Sequence, residues 1–556
     1  MMKENLKNAL KRALALVLSA AVLLLTVACV AEDDVTSQSG VSIDTEASPE
    51  TTEKPMEETT GLAAGAAPLY DGVLQTLANG DSFFTPGVDH MVTDTERAVL
   101  YYNDLLLVFT NDDLPAAERE ALAERVGGAA VGAVSGGIHA FQIRVPEATL
   151  GQLEALADRL MEDAQVLYAC GEYPVQIMGT AEDDNPWEME GTEAFRGDEA
   201  NPGGLDWWAE AIGAYTAWEY TPLCQEIRVG IVDDGFWAEH EDLKGQITFV
   251  TNNENNTAAE HGTHVAGIIG ARNNDVGIRG IADTAELYCA DLWPTDSPDA
   301  YHTMAEYLAV INYMAQSGVR VVNNSWACLY PSEETWLETW GGSCGEYDQW
   351  LEQRLNRDLI PTAEYCIVMI SQLIASGYAD MILVQGAGND SVDARYGGFF
   401  NRVTEEVYND LDASVLVKLA AAGITYAAID ERILVVGAVS NQRDADGNYA
   451  LSWFSNYGET VDLCAPGDVV FSTVPSKYDI CYAAFSGTSM AAPMVTGSVA
   501  FLWSLDPALT AAELRQLLLD SAQVQAVGIG SSEGWSCPMV NVGAAARIIA
   551  AGLEQE

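Results

Sequence analysis

Four short stretches of this chain hold side chains that together could attack an acyl carbon. A serine hydroxyl is a weak nucleophile until a base takes its proton and donors stabilise the oxyanion that forms. Ser489 stands in Gly487-Thr488-Ser489-Met490-Ala491-Ala492-Pro493, and His261 opens His261-Gly262-Thr263-His264-Val265-Ala266-Gly267. Asp233, in Val232-Asp233-Asp234-Gly235, has the carboxylate that could accept the Nδ1 proton of a histidine and stabilise its imidazolium. Asn389 closes Ala387-Gly388-Asn389 and carries an amide donor. Taken singly, Asp-Asp-Gly and Ala-Gly-Asn read as turns, His-Gly as a loop histidine and Gly-Thr-Ser as a helix cap. Histidine is scarce, with six in the chain, and none outside His261 and His264 sits in a comparable motif.

In this order the four blocks resemble those of the subtilases, the subtilisin-like serine peptidases, in which aspartate, histidine and serine follow one another along the chain. The resemblance implies that Ser489 is the nucleophile, His261 the base, Asp233 the group orienting the imidazole, and Asn389 an oxyanion donor together with the Ser489 N–H. His264 is then a structural histidine. Glycines around Asn389 and Ser489, Gly388 among them, let a substrate approach the backbone closely. Asn324-Ser325-Trp326-Ala327 matches the strand that pairs with substrate backbone in this family, a mode of binding largely independent of side chain. Trp326 and Ala327 replace residues that are commonly Leu and Gly, so the pocket for the residue before the scissile bond is expected to be reshaped. Asp234 and Ala492 are similar to the kexin-type branch, where the second aspartate helps accept a basic residue. Asp234 reads equally well as a solvated turn residue.

These residues need elements that hold them. Ile227, Val229 and Ile231 predict a short strand ending at Asp233, and reactive groups gather at the carboxyl ends of strands in open α/β sheets. His261 and Ser489 each precede small and apolar residues at helical spacing, so each is expected at a helix start. There, unpaired amides and the helix dipole favour negative charge. Pro493 is expected in the first turn of its helix, where it costs no hydrogen bond. Thr510-Ala511-Ala512-Glu513 predicts a capping box. The fold class expected is α/β, a subtilisin-like doubly wound parallel sheet over 206–556, preceded by a small ferredoxin-like α+β prodomain.

That prodomain is expected over 97–176. Leu105-Leu106-Leu107-Val108-Phe109 reads as a strand and Pro115 to Arg125 as a helix. A hairpin follows through Ser135-Gly136-Gly137, then a helix over 149–161 and a last strand over 166–172, giving the β-α-β-β-α-β order. Its position resembles that of a subtilase propeptide, an inhibitor whose tail here would be Tyr173 to Gly179. The alternative is an accessory domain that is never removed. Maturation is expected to cut between Gly179 and Leu205. Arg196 is the one basic residue over 173–205, so no dibasic junction is present.

The rest of the chain bounds its setting. Lys3, Lys7, Lys11 and Arg12 precede an apolar run over 13–27, too short for an ordinary membrane span. Residues 1–28 therefore read as a signal peptide. Thr26-Val27-Ala28-Cys29 resembles a lipoprotein signal with Cys29 as the lipid-bearing residue, and plain secretion is the other reading. Residues 29–66, rich in Thr, Ser, Glu and Asp, read as a disordered acidic tether. The chain is expected to be exported, on the cell surface through that lipid or otherwise secreted. A formal net charge of −56 argues against nucleic acid as a partner. Protein or peptide substrates and the chain's own propeptide are the partners expected, and membrane contact only through the N-terminal lipid. The chemistry requires no cofactor. The family commonly binds structural calcium, but no carboxylate cluster shows a ligand spacing that assigns it. Ten cysteines allow disulfides in an exported protein without fixing their pairing, and Cys289 reads as a buried free thiol.

Overall fold

The structure, a computed structural model, describes residues 72–94, 99–175, 206–251, 260–274, 276–292, 302–326, 360–378, 380–475 and 481–553, with residue 349. The expected signal peptide, Cys29, the 29–66 tether, Ala327 and the 176–205 stretch lie outside the described residues. No helix among the described residues is long and apolar enough to cross a membrane.

The amino-terminal part is built on an antiparallel sheet. Its elements are β1 (Gly72–Thr76), β2 (Ser82–Pro86), a side hairpin of β3 (Met91–Asp94) and β4 (Val99–Tyr102), then β5 (Leu105–Thr110), α1 (Ala116–Arg125), β6 (Ala129–Val134), β7 (Ala140–Arg144), α2 (Leu150–Met161), β8 (Val166–Gly171) and β9 (Pro174–Val175). The sheet order is β1-β2-β6-β7-β5-β8. From β5 to β8 this is the β-α-β-β-α-β order with ferredoxin-like strand neighbours. The sheet begins earlier than residue 97, because β1 and β2 extend it through Ser82 opposite Ala133. β5 is buried along its whole length, which explains its unbroken apolar run. Leu106 and Val108 face α1 and α2, whereas Leu107 and Phe109 join the core of the larger domain.

That larger domain has a parallel sheet. β10 (Arg228–Asp233), β11 (Ile247–Phe249), β12 (Glu286–Asp291), β14 (Val321–Asn324), β15 (Ile382–Gly386) and β16 (Ile433–Arg443) stand in the order β11-β12-β10-β14-β15-β16, all parallel. After β10 the chain goes first to the far edge at β11, comes back to place β12 beside β10, and then crosses to build β14, β15 and β16 on the other side. The strand order therefore reverses at β10, the point where such sheets carry their sites. An antiparallel margin follows from β17 (Tyr449–Leu451), and β18 (Leu463–Pro466) pairs in parallel with β16.

The helices that matter for the site are α3 (His261–Gly270), α4 (Met304–Gln316), α5 (Ile360–Ser376), α6 (Ala413–Ala421) and α7 (Thr488–Leu505). Every residue of α7 is buried, as its nearly unbroken apolar and small-residue sequence requires. The capping box at Thr510 and Glu513 is formed as expected.

The two parts share one continuous buried core. Asn312 of α4 donates to Asp81 Oδ2 at 2.7 Å and to the Ser135 carbonyl at 2.8 Å. Gln372 of α5 donates to the Thr110 carbonyl at 2.8 Å and accepts from the His139 N–H at 3.0 Å. Lys418 of α6 reaches the Val166 carbonyl. Glu172 Oε2 accepts from the Met304 N–H, the first of α4, at 3.0 Å. Finally, β9 adds antiparallel to β13 (His302–Thr303), with Pro174 opposite Thr303.

Candidate active site

Asp233 is the last residue of β10 and is fully buried. His261 is the first residue of α3, as its position before Val265, Ala266 and Ile268 predicts. Their side chains meet, with Nδ1 of His261 2.6 Å from Oδ1 of Asp233. Burial alone would lower the pKa of this imidazole. The Asp233 charge and hydrogen bond, with the Asp234 charge beyond, outweigh it and raise the value to about 9. Nε2 of His261 is buried and has no hydrogen-bond partner among the described residues.

Asp234 is half-buried, and its Oδ1 accepts the Gly262 N–H at 2.8 Å. It thus caps one of the unpaired amides at the start of α3. Burial, then the neighbouring Asp233 charge, push its carboxyl up to about 7. It is not the solvated turn residue that one sequence reading allowed. His264, one turn further in, stacks on Phe485 at 4.4 Å between ring centres and points Nε2 at the Val470 and Ala483 carbonyls. Burial lowers its pKa to about 3, so it stays neutral.

Ser489 is the second residue of α7, where an amide has no acceptor within the helix. Its Oγ donates to the Ser325 carbonyl at 3.2 Å. The Ser325 hydroxyl donates in return to the Ser489 carbonyl at 2.8 Å. That second bond resolves a departure from expectation. Pro493 sits in the second turn of α7 rather than the first, and as a proline it cannot bond the carbonyl four residues back. That carbonyl belongs to Ser489, and the Ser325 hydroxyl takes the place of the missing N–H.

Asn389 follows β15. Its Oδ1 accepts from the Thr488 N–H at 2.8 Å and the Thr488 hydroxyl at 2.9 Å. An N–H can only donate, so the oxygen must lie on that side and Nδ2 must face the other way. Nδ2 is buried and without a partner among the described residues. A Cβ on Gly487 would stand 3.3 Å from Nδ2 and 3.6 Å from the Ser489 nitrogen. Glycine there leaves open the space on which the two donors converge.

The residues holding the Asn389 loop were not legible in the sequence. Asn456 Oδ1 accepts the Asp390 and Val392 N–H groups at 3.0 and 3.1 Å, and its own N–H donates to the Gly388 carbonyl at 2.9 Å. Gly388 has φ of 111°, and a Cβ there would lie 2.2 Å from Asn456 Nδ2. Trp326 lies at the end of the same segment as Ser325. Its indole is fully buried, edge-on to Phe399 at 4.8 Å and to Tyr307 at 5.1 Å. It is part of a buried aromatic cluster with these two rings. Ala327 lies outside the described residues.

One group of three or more His, Cys, Asp or Glu side chains among the described residues could share an ion, and it is Asp233, Asp234 and His261. Calcium takes six to eight oxygen ligands, so a histidine nitrogen and two carboxylates already hydrogen-bonded do not fit it. Cys289 is a buried thiol pushed well up by burial, and Cys170, Cys224, Cys464 and Cys537 form no disulfide among the described residues.

The comparisons agree with this geometry. A sequence model of the subtilase family matches residues 225–536, which include all four blocks. The chain belongs to the subtilase family. It is a serine-type endopeptidase with the subtilisin fold. Among its relatives is Subtilisin DY of Bacillus licheniformis, 28% identical over 324 residues, spanning 58% of this chain and 91% of that one. Subtilisin E of Bacillus subtilis strain 168 is 26% identical over 327 residues, 58% of this subtilase and 66% of the relative. The crystal structure of fervidolysin from Fervidobacterium pennivorans, a keratinolytic enzyme related to subtilisin, superposes with a TM-score of 0.53 at 22% identity. It covers 80% of this chain and 61% of that one. The likeness to fervidolysin is one of fold.

Proposed function

We propose that this subtilase is made as an exported proenzyme and cleaves peptide bonds through Ser489. His261 acts as base and then acid, Asp233 orients the imidazole, and the Ser489 N–H with Asn389 Nδ2 holds the oxyanion. The observations that support the reading are the buried Asp233–His261 pair, joining the end of β10 to the start of α3, and the two open donors, Asn389 Nδ2 and the Ser489 N–H, beside Gly487 at the start of α7. For attack, Ser489 Oγ leaves the Ser325 carbonyl and turns to the open Nε2 of His261. The Oγ–carbon bond forms as the proton passes to Nε2. That proton then goes to the leaving amine nitrogen, and water reverses the sequence on the acyl-enzyme. Asp234 acts on the histidine helix rather than on a basic substrate side chain, since its carboxylate is engaged by Gly262.

The proenzyme reading draws on β9, which lies as an extra strand against β13 beside the sheet, a mode of peptide recognition that uses main-chain hydrogen bonds. The amino-terminal unit is then the chain's own partner until it is cut away. Proteins or peptides are the substrates. Export rests on the Lys/Arg-flanked apolar run, and surface anchoring on Cys29. Intact-mass analysis of wild-type and Ser489→Ala chains, expressed from about residue 67 onward, tests the reading. Loss of the segment before Asp206 in wild type alone is the expected result. Equal trimming of both chains would overturn self-processing.

A further inference from the structure

We infer that Gln385 sets which backbone carbonyl of the substrate-facing edge is presented at Ser489, making it a positioning residue for the reaction. The inference rests on the reading of Ser489 as nucleophile.

Gln385 is the penultimate residue of β15 and is fully buried. A buried amide must find hydrogen-bond partners or carry a desolvation cost. Its Nε2 donates to the Asn324 carbonyl at 3.0 Å and to the Trp326 carbonyl. Two acceptors on that side require the nitrogen there, which fixes the amide orientation. Asn324 and Trp326 are alternate residues. In extended chain, alternate groups point to the same side and the one between points to the other. Holding the 324 and 326 carbonyls toward Gln385 therefore turns the Ser325 carbonyl away from it. That is the side on which Ser489 Oγ meets the Ser325 carbonyl at 3.2 Å.

β15 also accepts Asn324 Nδ2 at the Val384 carbonyl, 3.1 Å away, a bond that does not reach Ser325 or Trp326. The pairing of β14 with β15 ends at Asn324 opposite Gln385, so the backbone ladder stops one residue short of Ser325. The Gln385 side chain carries the hold two residues further, to Trp326, just before residues 327–359. The surroundings are shaped to this side chain. A Cβ on Gly398 would lie 2.2 Å from Gln385 Cδ, so a larger residue there would displace the amide. Without Gln385 the 324 and 326 carbonyls lose this hold, the Ser325 peptide is left to the Ser325 bonds with Asn323 and Ser489, and a substrate N–H approaching Ser489 meets a less fixed acceptor.

The test uses the matured full enzyme with two readouts. One is kcat and KM on an extended peptide; the other is the labelling rate of Ser489 by a small fluorophosphonate, which needs the nucleophile and base but no strand pairing. Gln385→Met keeps the length and removes the donor. It should raise KM about tenfold, the worth of one to two hydrogen bonds, while labelling stays within about twofold. Unchanged kcat/KM, or equal losses in peptide cleavage and labelling, would overturn the proposal. Gln385→Glu supplies a second variant of the same shape. Its carboxylate repels both carbonyls, and protonation restores one donor. Its kcat/KM relative to wild type should rise as pH falls, and a flat ratio would count against the inference. Failure of wild type to label would instead remove the assignment of Ser489.

Discussion

Glu172→Gln should abolish a pH dependence in how tightly the amino-terminal unit holds the peptidase domain. Glu172 is fully buried between the two parts, accepting from Gln142 Nε2 at 2.9 Å and from the Met304 N–H at 3.0 Å. Burial, despite these donors, raises its carboxyl from 4.5 to about 8, with the Glu306 charge adding to the rise. The other groups facing it are Cys170 on β8 and Tyr365 on α5, both pushed well up by burial and so neutral across this range. Glu306 itself is paired with His302 Nδ1 at 2.6 Å. A group whose docked value lies above its free value takes up a proton on docking. The docked state is thus favoured in acid, and the advantage is lost as pH rises toward about 8. With these two titration points, the opening constant should grow roughly ninetyfold between about pH 6 and about pH 9. Amide exchange of β8 in the uncut Ser489→Ala chain, corrected for intrinsic rates, reads that constant directly. Glu172→Gln should flatten the profile, whatever fixed offset its altered hydrogen bonds introduce. A flat wild-type profile, or the same slope in both chains, would refute the reasoning.

Other outcomes follow from the site. Because His261 must be neutral to accept a proton and its value is raised to about 9, kcat/KM should climb with pH toward that value. Asp234→Asn removes a charge that contributes to the rise, so its acid limb should move to lower pH; an unmoved limb would separate Asp234 from the histidine. Asn389→Ala should lower kcat by ~10²–10³ with little change in KM, read from steady-state kinetics. Ser325→Ala leaves the Ser489 carbonyl without a donor opposite Pro493, and should cost about 1–3 kcal/mol in denaturant unfolding of the Ser489→Ala protein.

The four chemical blocks were legible because peptide hydrolysis restricts both residue type and local spacing. His-Gly-Thr-His and Gly-Thr-Ser-Met each fall within about one helical turn, so their pattern is local. The ferredoxin-like order was legible from alternating apolar runs and the Gly136-Gly137 hairpin. What sequence concealed was long-range. Gln385 and Asn456 act through hydrogen bonds to segments about 60 and 70 residues away in the chain, and nothing in their neighbours marks them. Pro493 looked tolerable for a local reason, yet its missing bond is replaced by Ser325, 164 residues away from the carbonyl it serves. β1 was missed because Gly72–Thr76 is largely exposed and carries little alternation.

The most direct test of the account is the site of covalent capture. Matured enzyme treated with a fluorophosphonate and mapped by peptide mass should carry the adduct on Ser489 alone, with loss of peptide hydrolysis in proportion to labelling. An adduct on another residue, or hydrolysis that persists in fully labelled protein, would contradict the assignment of Ser489 as the nucleophile.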